Sequence, residues 1–202
     1  TQTGTVRRVC KELLMSDKEY SKYIKRLVPK SAEEYKMLME IFSGGFTHAN
    51  RIYSGKVIKG MIQHYDFASS YPTVMVAEKY PSTVWLYQFD RTFPTESDID
   101  KYAYILKVRF TNLDCQTCNT YIQASKMIHC ENTILDNGRV IRAKYLEMYM
   151  TELDYLTIKE TYSWESAEII DKYRSEKQYL PKPFVEYILE LYANKTTLKG
   201  VE

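Results

Sequence analysis

Residues 65–72 read Tyr-Asp-Phe-Ala-Ser-Ser-Tyr-Pro. Asp66 follows a run in which Ile58, Met61 and Ile62 are apolar, so its carboxylate is expected to be partly shielded. A shielded carboxylate needs a cation or hydrogen-bond donors, and a hard oxygen ligand of this kind suits Mg²⁺. Pro72 fits the first turn of a helix, where its missing N–H is not needed. The open N–H groups of a helix start favour phosphate. Carboxylate, turn and helix start are together one way to hold a Mg²⁺–triphosphate. The other reading is that Asp66 simply caps the helix or a turn, a favoured use of aspartate.

A second cluster is Cys115-Gln-Thr-Cys118 with His129 and Cys130 further on. These are four possible zinc ligands. His129 and Cys130 are adjacent, which makes it awkward for both to reach one tetrahedral ion. Buried or loop thiols are the plainer reading. Eight basic residues against three acidic ones in residues 1–30 give a local excess of five, in a chain whose net charge is +2. Such a segment suits a polyanion or is a solvated helix face. The chain has 202 residues, 45% of them hydrophobic and 14% aromatic, so it can bury a substantial core. No run has transmembrane length and no signal peptide is apparent. The expected setting is reducing, intracellular and away from membranes. A start at Thr1 and a finish at Leu-Lys-Gly-Val-Glu suggest a piece of a longer protein.

The elements that must position Asp66 are read from periodicity and punctuation. Residues 6–42 have helical spacing, with Ser31 and Glu34 as a capping box, and Ser43–Gly45 break the helix. Phe46–Tyr53 and Val57–Phe67 are expected as the two strands of a hairpin turning at Ser54–Gly55, with His48 and His64 on opposite strands in structural roles. A helix should follow Pro72, then strands at Thr83–Phe89 and Tyr102–Phe110. Residues 111–138 look turn-rich and end in the turn signal Asp136-Asn-Gly138. Residues 139–150 read as one or two strands, 151–162 as a helix capped by Thr151, 163–173 as a strand, and 180–200 as a long helix entered through Pro181 and Pro183. The pattern predicts an α+β fold, an antiparallel sheet with helices on one face.

Three further stretches agree in order with the first. Asp66-x-x-Ser69-x-Tyr71-Pro72 resembles motif A of the family B DNA polymerases, with Ser70 where that motif carries Leu. Phe42-Ser-Gly44-Gly45 resembles the Tyr-x-Gly-Gly motif of the protein-primed phage polymerases, with Phe42 in place of Tyr. Residues 151–173 resemble the end of the insertion those enzymes carry between motifs A and B. Residues 190–200, with Lys195-Thr-Thr, resemble the approach to motif B.

The resemblance implies a polymerase palm with a small α/β insertion. Residues 1–45 would be a helical, DNA-contacting lead-in, 46–90 the palm part with motif A, 91–180 the insertion, and 181–202 the start of the fingers helix. Asp66 would be the catalytic carboxylate and would bind both Mg²⁺ ions, with the Phe67 carbonyl on one of them. Ser69, Ser70 and Tyr71 would offer backbone N–H groups to the nucleotide phosphates, and Lys195 a point charge. The Tyr71 ring would lie under the incoming sugar and reject a 2′-OH. Phe42, Gly44, Gly45 and Phe46 would lie along the template. The implied partners are primer-template DNA, dNTP, a terminal protein as first primer, and the rest of the polymerase chain, in a bacterial host's cytoplasm. No Asp-Thr-Asp and no Lys-x-x-x-Asn-Ser-x-Tyr-Gly occurs in the sequence. Two-metal transfer needs a second carboxylate, so these 202 residues alone are expected not to polymerise DNA. The rival reading is a non-catalytic nucleic-acid-binding or protein-docking module.

Overall fold

The computed structural model describes residues 18–47, 50, 52–67 and 69–199. The expected helix over residues 6–17, the basic residues Arg7, Arg8 and Lys11, His48, and the last three residues lie outside these. The chain divides into two compact units. One holds the described residues up to Val28, with Ile62–Val84 and those from Glu176 onward. The other holds Pro29–Met61 and Trp85–Ser175.

The second unit is built on long antiparallel strands. β3 (Tyr102–Cys115) and β6 (Arg139–Thr151) pair along most of their length, from Ile105 opposite Thr151 to Asp114 opposite Arg142. β8 (Ser166–Tyr179) flanks β3, and β4 (Met127–Glu131) flanks β6. Three short strands complete the ladder: β2 (Leu86–Tyr87) on β8, β5 (Ile134–Asp136) on β6 and β7 (Tyr162–Ser163) on β3. Alternation in β3 and β6 sends Leu106, Val108 and Phe110 to the same face as Met150, Met148 and Leu146. Five of these six side chains are fully shut from solvent and Met148 nearly so. Each such side chain contributes about 1.5–3 kcal/mol relative to exposure.

Helix α5 (Glu152–Thr161) adds Tyr155 and Ile158 to that core. It starts where expected. Thr151 Oγ accepts the Asp154 N–H, and the Asp154 carboxylate takes the Thr151 N–H in return. Glu152 and Asp154 also place negative charge at the helix's positive end. The turn at Asn137–Gly138 joins β5 to β6 with both residues at positive φ, 49° and 74°. That is the twist a two-residue hairpin needs.

The first unit contains α1 (Lys18–Leu27), α3 (Ser70–Ala77), β1 (Lys79–Pro81) and α6 (Lys182–Lys199). β1 pairs with the last residues of β8, Lys177–Tyr179, and α3 packs on α6. No described helix is long and apolar enough to cross a membrane.

Several local expectations are corrected. The helix read over 6–42 is, in its described part, two helices: α1, and α2 (Ala32–Ile41) after a break around Pro29. Ser31 caps α2 by accepting the Glu34 N–H, but Glu34 takes the Lys30 N–H rather than that of Ser31. The expected hairpin over 46–67 is absent among the described residues, which form a turn at Ile52–Gly55 and an unpaired run without regular structure after it. Its apolar residues have no covering layer, and Met61 is 93% exposed. Asp66 is accordingly exposed rather than shielded. β3 runs five residues beyond the expected Phe110 and keeps its register with β6 on both sides of Asn112, which takes a left-handed φ of 48°. A short helix α4 (Glu96–Lys101), with its own Thr95–Asp98 capping box, was not anticipated.

Candidate nucleotide and nucleic-acid sites

In the first unit, α3 begins at Ser70 with Ser69 as N-cap, held in the left-handed region at φ 55° and ψ 40°. The Ser69 carbonyl accepts both the N–H and the hydroxyl of Thr73, at 3.0 Å each. Asp66 is therefore not the cap, and no side-chain bond caps this helix. Pro72 stands third in the helix and brings no N–H. Thr73 is the first internally bonded donor, so the backbone N–H groups of Ser70 and Tyr71 are left without intrahelical partners. They follow the Asp66 carboxylate by four and five residues. The Phe67 and Tyr71 side chains are exposed, at 87% and 76%.

The end of α3 faces α6 across a groove of about 300 Å³. Its apolar walls include Pro72, Met75, Phe184 and Leu191, and its polar lining is Ser69, Lys195 and the two tyrosines Tyr187 and Tyr192. Ser69 and Lys195, 126 positions apart in sequence, thus line one groove. Asp66, Phe67 and Tyr71 do not line it.

In the second unit the glycine-bearing segment runs on from α2. Phe42 is the C-cap of α2 and donates its N–H to the Leu38 carbonyl. Ser43, Gly44 and Gly45 are exposed. Phe46 then lies against the sheet: its ring stacks on Tyr121 at 5.9 Å, and the Arg139 guanidinium sits 4.5 Å from its centroid. The Tyr121 hydroxyl donates to Asp154, the same carboxylate that caps α5. Burial, and then that hydrogen bond, push the Tyr121 phenol well above its ordinary pKa, so it stays a donor. Gly44, Phe46, Tyr121, Lys126, Arg139 and Asp154 all line one cavity of about 130 Å³. Sequence reasoning singled out Gly44 and Phe46 as template contacts and did not single out Tyr121, Lys126 or Arg139. Arg139 and its partner Thr47 are 92 positions apart, and no local spacing signals such a pair. The only hint is a cation directly after a hairpin turn, at the buried start of a strand.

The cysteine cluster does not assemble. Cys115 is buried at the end of β3 with Sγ 3.4 Å from the Thr117 carbonyl, while Cys130 is exposed on β4. Among the described residues no three His, Cys, Asp or Glu side chains are grouped to hold a metal. For Mg²⁺ the donor chemistry fits in part. Asp66 and the Phe67 carbonyl are hard oxygen donors, and Mg²⁺ beside nucleotide phosphates needs one or two carboxylates; the described residues supply one.

The long antiparallel sheet with its capped helix, and the helices of the first unit, define an α+β fold. Solved structures of phi29 DNA polymerase are among those it superposes on. With the post-translocation complex of that enzyme with primer-template DNA the TM-score is 0.67, at 19% identity over 93% of this chain. With its orthorhombic crystal form the TM-score is 0.62, at 20% identity over 84%. With its ternary complex with primer-template DNA and incoming nucleotide the TM-score is 0.59, at 19% identity over 81%. The chain spans 27–31% of the length of those structures. No family model and no curated protein sequence matches the chain.

Proposed function

We propose that the chain is the motif A and insertion part of a DNA-directed DNA polymerase of family B, of the protein-primed phage type, working in a bacterial cytoplasm. The observation that carries this is the geometry just after Asp66. A left-handed Ser69 and a proline at the third helical position leave the Ser70 and Tyr71 N–H groups open, four and five residues after the exposed Asp66 carboxylate. The overlay on phi29 DNA polymerase across most of the chain supports the same reading.

Each residue then has a role. Asp66 and the Phe67 carbonyl would hold Mg²⁺, which when bound neutralises charge on the transferring phosphoryl group. The Ser69, Ser70 and Tyr71 backbone would cradle the dNTP phosphates at a helix N-terminus. Lys195, across the groove from Ser69, would add a point charge to the triphosphate. The exposed Tyr71 ring would pack under the sugar and exclude a 2′-OH. Phe42, Gly44, Gly45 and Phe46 would follow the template backbone. A terminal protein would provide the first primer hydroxyl and dock on the insertion. With one motif carboxylate, the 202 residues bind DNA without extending it.

Fluorescence anisotropy of the purified chain with a labelled primer-template, run across a salt series, tests this. Binding that weakens as salt rises is expected, with no primer extension. No binding at low salt contradicts the nucleic-acid reading, and extension by the chain alone contradicts the single-carboxylate account.

A further inference from the structure

The exposed glycine-bearing segment is tied down at both ends by cations from the insertion. At one end Lys126 Nζ donates to the Met39 carbonyl at 3.1 Å. This lies in the last turn of α2, where carbonyls lack intrahelical partners. At the other end Arg139 donates through Nη2 to the Thr47 carbonyl at 3.0 Å, and through Nη1 to the Tyr121 carbonyl at 2.6 Å. The same guanidinium lies over the Phe46 ring. Arg139 is only 8% exposed. Both terminal nitrogens are used on carbonyls and one face is covered by an aromatic ring, which leaves it poorly placed to meet a phosphate as well. Its planar fork bridges two carbonyls at once, which a lysine ammonium on a flexible stem does not reproduce.

Gly44, between the two ties, is not required by the fold. Its φ is not positive, and a Cβ built there meets nothing within 4 Å. The open side of the segment is thus free for an outside backbone to approach, while its path is set from behind.

We infer that Arg139 and Lys126 are positioning residues that strap Met39–Thr47 to the insertion and fix the path along which the segment grips nucleic acid. The gripping part of this rests on the proposed function; the strap itself does not. The test is peptide-level hydrogen exchange over residues 38–47 of the 202-residue chain, with primer-template binding across a salt series. The variants are Arg139→Lys, Arg139→Gln, Lys126→Met and Gly44→Ala. In Arg139→Lys, exchange over 42–47 should rise about tenfold, the worth of one charge-assisted hydrogen bond. Exchange in β3 and α5 should stay unchanged, and DNA affinity should fall with the salt slope kept. Lys126→Met should loosen the Met39 end and keeps the test alive if Arg139→Gln does not fold. Gly44→Ala should weaken DNA binding with exchange unaltered.

Unchanged exchange in Arg139→Lys overturns the strap. A salt slope reduced by about one in Arg139→Gln, with exchange unchanged, makes Arg139 a phosphate contact instead. If the wild-type chain binds no DNA, the functional reading falls, and the exchange data still decide the strap.

Discussion

Lys172 Nζ lies 2.7 Å from Asp90 Oδ1 and 2.8 Å from the Thr92 carbonyl, which ties the 88–93 loop to β8 from beneath. The lysine is buried and the aspartate half-exposed. The Lys172 hydrogen bond, and then that of the Thr92 hydroxyl, hold the Asp90 carboxyl down to about 2. A carboxyl depressed on folding contributes stability that is full above its unfolded pKa, near 3.9, and is lost as pH falls through about 2. An acid titration followed by circular dichroism should show a component in that window that Asp90→Asn removes. Half exposure limits it to about 1 kcal/mol. Asp90→Ala should cost more than Lys172→Met, because it leaves a buried ammonium without its counter-charge.

The phenol of Tyr162 ties the start of β6 to the segment before β4. It donates to the Val140 carbonyl at 2.6 Å and accepts the Ile122 N–H at 3.2 Å, with the ring in the core. Tyr162→Phe should lose about 1–3 kcal/mol in a urea melt, since a buried N–H is left unmet. Phe110→Ala, at a fully buried position, should lose about 3–5 kcal/mol by cavity formation. A loss below half of that would show the sheet core to be looser than its burial implies.

These elements also show what could be read from the sequence. Local chemistry was legible. Thr151 marks the start of α5, Pro181 and Pro183 the entry to α6, and Asn137–Gly138 the turn into β6. Pairing was less so. Val57–Phe67 and 163–173 both read as strands, yet among the described residues only the latter, as part of β8, has strand neighbours along its length. Period-2 patterning reports which face is apolar and says nothing of what lies opposite. The same gap explains Asp66: shielding was inferred from apolar neighbours that are themselves exposed. Motif order carried the functional reading, whereas the ties from Lys126 and Arg139 needed the fold.

Tyr71 is expected to act as the sugar gate. In the open reading frame that contains these 202 residues, Tyr71→Ala should lower discrimination between dNTP and rNTP by about ten- to hundredfold, the range that one lost steric contact gives. Tyr71→Phe should keep discrimination, because the rejection is by the ring and not the hydroxyl. Single-nucleotide incorporation with each substrate measures this, and unchanged selectivity in Tyr71→Ala removes the ring from the site.

The central claim is that Asp66 is a catalytic carboxylate. Its most direct test is template-directed dNTP incorporation by that open reading frame, wild type against Asp66→Asn, with primer-template affinity measured alongside. Incorporation should fall by at least about a thousandfold, because several kcal/mol of transition-state stabilisation are withdrawn, while affinity stays within about twofold, far less than one lost specific contact would cost. Incorporation at the wild-type rate in Asp66→Asn would contradict the account.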